Sequence, residues 1–248
     1  MMSLALTPEL LALLVLGVFL IAFLYSSVGH AGASGYIAVM SLLSIAPEVI
    51  KPTALSLNIL VASIGAWHFW KAGYVSWNLF WPFAILSVPF AYVGGYLHLP
   101  AHIFEFLLGC ILLLSAVRFI GWPHSEHTPR QPPTWVAVIF GGCIGLLAGL
   151  TGTGGGIFLT PLLLFMHWAN VKTAAAVSVL FILVNSIAGL TGNMASTHHF
   201  PPFILALGIA AALGGSIGSY LGSRKLKPEL IKRLLAAVLL IAGIKLIL

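Results

Sequence analysis

Two glycine-rich stretches hold the residues best suited to chemistry. Residues 149–161 read GLTGTGGGIFLTP, and residues 27–35 read SVGHAGASG. Runs so rich in Gly are hard to keep helical. Their backbone is expected to open at Gly152, Gly154, Gly155 and Gly156 in one stretch, and at Gly32 and Gly35 in the other. Ser34, Thr151 and Thr153 add hydroxyl donors without adding charge. The helices that follow, expected from about Gly35 and Gly156, would aim the positive ends of their dipoles into the breaks. That chemistry suits an anion. Asn58 and Asn185 are costly to bury and are candidates for lining the same path. His30, inside the first stretch, could donate to an anion or carry a proton.

The elements that position these residues are set by composition. Of 248 residues, 60% are hydrophobic and only 6% are charged, against about 25% in a soluble domain. So few charges cannot clothe a water-facing surface, so the chain is read as an all-α integral membrane protein with the lipid bilayer as its solvent. Eleven Lys and Arg stand against five acidic residues, all Glu. In a membrane chain this excess reads as basic cytoplasmic loops, and no basic-aromatic interleaving suggests nucleic acid. Cys110 and Cys143 lie in apolar runs, match no metal or disulfide spacing, and are expected to be packing residues. No cofactor or metal site is expected. Glu9, Glu48, Glu105, Glu126 and Glu229 all fall at helix ends or in loops. That leaves no midplane carboxylate to serve a cation or to repel an anion.

Apolar runs fall near 8–28, 36–46, 52–70, 78–98, 102–121, 135–150, 156–167, 172–191, 202–222 and 229–247. Crossing about 30 Å of hydrocarbon takes about 20 residues, so 36–46 and 156–167 are too short. The N-terminal run has no Lys or Arg before it and no A-x-A site, and is expected to remain as the first helix. The Pro-rich segment GWPHSEHTPRQPPT at 121–134 reads as a cytoplasmic linker between two repeats, 1–120 and 135–248. The first repeat comprises a hairpin (8–46) and helices 52–70, 78–98 and 102–120. The second comprises a hairpin (135–167) and helices 172–191, 202–222 and 229–247. VGHAGASGYIAVMSLL aligns with AGLTGTGGGIFLTPLL, matching Gly29 and Gly32 to Gly149 and Gly152, and setting His30 and Ser34 opposite Leu150 and Gly154. KPTALSLNILVAS matches KTAAAVSVLFILVNS, and VGGYL matches IGSYL. Internal repeats of this kind mark secondary transporters, with the binding site where broken helices of the two halves meet.

If each glycine-rich unit is a re-entrant or broken hairpin, the repeats are inverted and both termini lie outside. Lys71, Arg118, Arg130, Lys172, Arg224, Lys225, Lys227, Lys232 and Arg233 then share one face, with only Lys51 and Lys245 opposite. A parallel arrangement distributes the charges seven against four, so the positive-inside rule favours inversion. The ladders Gly141, Gly145, Gly149 and Gly214, Gly218, Gly222 have the spacing of close helix packing. His68, His98, His102, His198 and His199 fall near helix ends and are expected at the interfaces.

With GLTGTGGGIFLTPLLL and the Lys-initiated helix after it, the chain resembles the TauE/SafE-type sulfite exporters, small bacterial transporters of sulfur-containing anions. The resemblance rests on G-x-G-G-G-x-x-x-x-P at Gly152, Gly154, Gly155, Gly156 and Pro161. The first half departs from it, with Ala33 and Ser34 where glycines are usual and Ser41 at the Pro position. The resemblance implies transport of sulfite, thiosulfate, sulfoacetate or a related organosulfonate across the bacterial inner membrane, with export the expected direction for a sulfite exporter family. It leaves the anion, direction, coupling ion and oligomeric state open. A competing reading takes Gly32-Ala33-Ser34-Gly35 as the GxSG of an intramembrane serine protease, with Ser34 as nucleophile. A haem or quinone protein would need facing His pairs at membrane depth, and the nine His do not supply them.

Overall fold

The computed structural model describes residues 7–43, 45, 47–97, 129–197 and 203–224, with individual helical positions between 103 and 117 and between 229 and 247. The described residues form eight helices: α1 (Pro8–Ser26), α2 (Ala33–Leu42), α3 (Pro47–Lys71), α4 (Trp77–Tyr96), α5 (Thr134–Thr151), α6 (Gly156–Phe165), α7 (Val171–Thr197) and α8 (Ile204–Arg224). Among them α1, α3, α4, α5, α7 and α8 are long and apolar enough to cross a membrane. The ten-residue helices α2 and α6 reach about 15 Å, half a bilayer core. The expected runs 102–121 and 229–247 and the linker up to residue 128 lie largely outside the described residues, as do His98, His102, His198 and His199.

The outer surface is that of a protein in lipid. Leu205, Ile209, Leu213 and Ile217 recur along one face of α8 with exposures of 76, 57, 56 and 47%. In water such a stripe would be an aggregation site; in a bilayer it is the solvated face. Cys110 and Cys143 are also exposed, which corrects their expected role in packing: an apolar side chain in this solvent can face outward.

The glycine ladders set the helix order. A Cβ on Gly141, Gly145 or Gly149 of α5 would fall on the backbone of Phe83, Ser87 or Ala91 of α4. One on Gly214, Gly218 or Gly222 of α8 would fall on the backbone of Phe19, Phe23 or Ser27 at α1 and its end. Residue numbers rise together in both pairs, so α5 runs parallel to α4 and α8 parallel to α1. The first described helix, α1, therefore lies along the last, α8, and α4 lies along α5. The apolar core follows the same pairing. One cluster joins α1, α2 and α3 to residues of α7 and α8, and another joins α4 to α5, α6 and α7.

Two lysines close the ends of this frame. Lys51, in the first turns of α3, donates to the Gly94, Gly95 and Leu97 carbonyls at the end of α4. Lys172, at the start of α7, donates to the Gly222 and Ser223 carbonyls at the end of α8. Each places a cation on the negative end of a helix dipole and satisfies carbonyls that the helix leaves open. The two caps lie at opposite ends of the bundle. Lys71, Arg224 and His68 gather at the Lys172 end, where Arg224 lies over the Tyr220 ring and His68 packs edge-on against it. Exposed Trp67, Trp70, Trp77 and Trp81 ring the same end, an interfacial aromatic belt.

Candidate functional site

The chain breaks between α1 and α2 and again between α5 and α6, and the two breaks meet between α3 and α7. The first break carries left-handed glycines at Gly29 (φ 76°) and Gly32 (φ 102°), and the second at Gly152 (φ 74°), Gly154 (φ 73°) and Gly155 (φ 84°). Only glycine takes this backbone without strain. Gly32 and Gly155 are the N-caps of α2 and α6, and no side chain caps either helix. The conformations pair Gly29 with Gly152 and Gly32 with Gly155. This corrects the expected register, which matched them to Gly149 and Gly152, by three residues. Residue identity aligned the tail of α5 with the first break, whereas the left-handed turn fixes where one helix stops and the next starts. His30 thus stands opposite Thr153, and Ser34 opposite Ile157. Ser34 and Gly35 also lie in the first turn of α2 rather than in the open backbone.

Asn58 fastens the breaks together from α3. Its Oδ1 accepts from the Ala33 N–H at the start of α2 (3.1 Å), and its Nδ2 donates to the Thr153 carbonyl (3.3 Å) and the Ser186 hydroxyl of α7 (3.3 Å). The side chain is fully buried, and its three polar contacts tie α2, the second break and α7 to α3. Gly154 fits here because it lacks a side chain: a Cβ would lie 2.7 Å from both Asn58 Nδ2 and Ser186 Oγ. His30 makes a second link. Its Nε2 is 3.1 Å from the Gly156 carbonyl at the start of α6, and its ring meets Tyr25 edge-on. The Ser34 hydroxyl donates to the Tyr25 hydroxyl at 3.3 Å, and Tyr36 donates to the Ala31 carbonyl at 2.6 Å. Thr151 donates to the Leu147 carbonyl, and its oxygen lies 2.9 Å from that of Thr153.

The structure therefore brings His30, Gly32, Ser34, Gly35, Asn58, Thr151, Gly152, Thr153, Gly154, Gly155 and Gly156 into one buried junction. Asn185 stands apart. One residue before Ser186 is about 100° round the helix, and there Asn185 accepts from Ser87 of α4. Its Nδ2 is buried with no partner among the described residues. Three participants were missed in the sequence: Tyr25, Tyr36 and Ser186. Each sits within an apolar helical run, and nothing in its spacing separates it from the surrounding core.

Chemically, the junction offers two helix N-termini, a buried amide and an imidazole, with no carboxylate among the described residues that line it. That arrangement welcomes negative charge. It gives the protease reading no support, since Ser34 donates to Tyr25 and His30 Nε2 faces a carbonyl.

An all-helical bundle with an outer surface suited to lipid and paired helix breaks at its centre is a multi-pass membrane protein of the transporter class. The family model for the sulfite exporter TauE/SafE matches residues 14–246, and the chain belongs to that family. It is 42% identical over 239 residues to a probable membrane transporter protein of Sinorhizobium fredii, covering 94% of this chain and 97% of the relative. It is 26% identical to one from Methanocaldococcus jannaschii (95% and 94% covered) and 26% identical to one from Bacillus subtilis (95% and 99% covered). No solved structure matches.

Proposed function

We propose that the protein is a secondary transporter that exports a small sulfur-containing oxyanion, such as sulfite, thiosulfate or an organosulfonate, across the bacterial inner membrane. The anion binds where the two breaks meet, held by backbone N–H groups at the starts of α2 and α6 together with Asn58 and His30. The single observation that carries this reading is the convergence of two uncapped helix N-termini on one buried junction without a carboxylate. The substrate class comes from the family. The exchanged packing of α1 with α8 and α5 with α4 supports two inverted halves that rock against each other to alternate access. The end bearing Lys71, Arg130, Lys172 and Arg224 faces the cytoplasm by the positive-inside rule.

A thermal-shift panel of sulfite, thiosulfate, sulfate, sulfoacetate and chloride on purified protein tests the substrate class. Stabilisation is expected from sulfur oxyanions and not from chloride. Asn58→Asp tests the place, because it sets a carboxylate of nearly the same shape in the junction. Affinity for the stabilising anion should fall at least about tenfold. A folded Asn58→Asp protein with unchanged affinity would move the site elsewhere.

A further inference from the structure

The hydrogen bond from His30 to Gly156 fixes which ring nitrogen carries the proton. A carbonyl only accepts, so Nε2, 3.1 Å from the Gly156 oxygen, is the donor. In the neutral ring Nδ1 is then a bare lone pair. It is buried with no well-formed hydrogen bond to the described residues, and the Val28 backbone beside the ring is an acceptor that only a protonated ring nitrogen can use. A lone pair turned toward an oxyanion repels it. Protonation reverses this: Nδ1 becomes a donor while Nε2 keeps its bond to Gly156.

We propose that His30 takes up one proton with each anion, so that the protein moves anion and proton together in the same direction. This rests on the anion-carrier reading above. The surroundings leave His30 as the group for the task. From α1 it faces Tyr25, with ring centroids 6.4 Å apart. On α2 the polar groups nearby are Ser34 and Tyr36, both hydrogen-bonded. From α3 comes the neutral Asn58. From α6 comes the Gly156 backbone, and from α7 the apolar Ala175 and Ile182, which pack on Gly29 and Gly156. Glu9 and Glu48 lie in the first turns of α1 and α3. Lys51 and Lys172 are held on the carbonyl ends of α4 and α8.

A buried imidazolium without a counterion is costly, and so is a buried anion without a cation. Each lowers the cost of the other, and that mutual dependence is the coupling. The bond between His30 and Gly156 also joins residues 126 positions apart, one from each break. The protonated group thus sits on a contact that any separation of the breaks must disturb.

The test uses purified full-length protein with thiosulfate and sulfoacetate, neither of which changes protonation near neutral pH. Calorimetry in buffers of different ionisation enthalpy should count one proton taken up per anion bound. Affinity should fall about tenfold per pH unit above the protonation point of the site. In liposomes, an imposed pH gradient should drive anion accumulation. His30→Gln keeps an amide donor for Gly156 but cannot titrate, and its affinity should lose the pH dependence. Binding or transport by wild type without proton uptake overturns the coupling and leaves the carrier reading standing. Failure of both anions to bind at any pH overturns the carrier reading and the coupling with it. A folded His30→Gln protein that keeps the tenfold slope overturns the assignment to His30. If that variant does not fold, the proton count and slope of the wild type still decide.

Discussion

The two breaks share a backbone and differ in what it carries. The first reads Gly29-His30-Ala31-Gly32, and the second Gly152-Thr153-Gly154-Gly155. Left-handed glycines three residues apart bracket both. Between them the first break places an imidazole and a methyl, and the second a hydroxyl and a third left-handed glycine. The first therefore supplies a side chain that can titrate, while the second yields space: Gly154 lets Asn58 reach the Thr153 carbonyl and Ser186. The two breaks thus present the same scaffold with different side chains: one holds the imidazole, the other makes room for the Asn58 clasp.

The change expected to break this comparison most severely is Gly154→Ala. Alanine at φ 73° is strained by about 1–2 kcal/mol, and its methyl would lie 2.7 Å from Asn58 Nδ2 and Ser186 Oγ. Pushing the amide away leaves buried donors unpaired at about 1–3 kcal/mol each. The expected result is a drop of many degrees in the unfolding temperature in detergent and loss of anion binding. Wild-type stability in Gly154→Ala would mean that the third glycine does not distinguish the breaks.

Much of this is legible in the sequence. A nearly uncharged apolar sequence forces helices in lipid, and GTGGG cannot remain helical in the middle of them, so the membrane class and the second break follow from composition alone. The ladder at Gly141, Gly145 and Gly149 was readable as packing because small residues four apart share one helix face. The register of the repeat was not. GHAGASG and GLTGTGG align by identity in more than one way, and only the backbone angles show that Gly29 answers Gly152. Asn58 is a candidate from its cost of burial, but its three contacts come from residues 25, 95 and 128 positions away, and spacing along the sequence does not report them. Asn185 is a candidate on the same ground, yet the turn of α7 points it toward Ser87.

The lysine caps extend the comparison from the breaks to the whole halves. Lys51 donates to three carbonyls at the end of α4, and Lys172 to two at the end of α8. Replacing either with Met keeps most of the apolar stem and removes the charge-assisted bonds, each worth about 1.5 kcal/mol or more. Lys51→Met should therefore lower the unfolding temperature more than Lys172→Met, with both variants still folded. Equal losses would show that the carbonyl count does not set the strength of the cap.

The smallest effect sharpens the comparison most. Ala31→Gly turns the first break into Gly-His-Gly-Gly, removing its difference from the second at that position and leaving only His30 against Thr153. Ala31 is fully buried, and among the described non-glycine residues only His167 has a positive φ, so alanine is unstrained there. Glycine would add freedom to the unfolded chain, at about 0.4–1 kcal/mol, and would forfeit one buried methyl. The bond from Tyr36 goes to the backbone carbonyl of residue 31, which the substitution preserves. A shift of a few degrees is expected in thermal unfolding, with thiosulfate affinity and its pH slope unchanged within about twofold. A larger loss of affinity would mean that the first break contributes through the packing of its methyl. An unchanged affinity places the functional difference between the breaks on the imidazole.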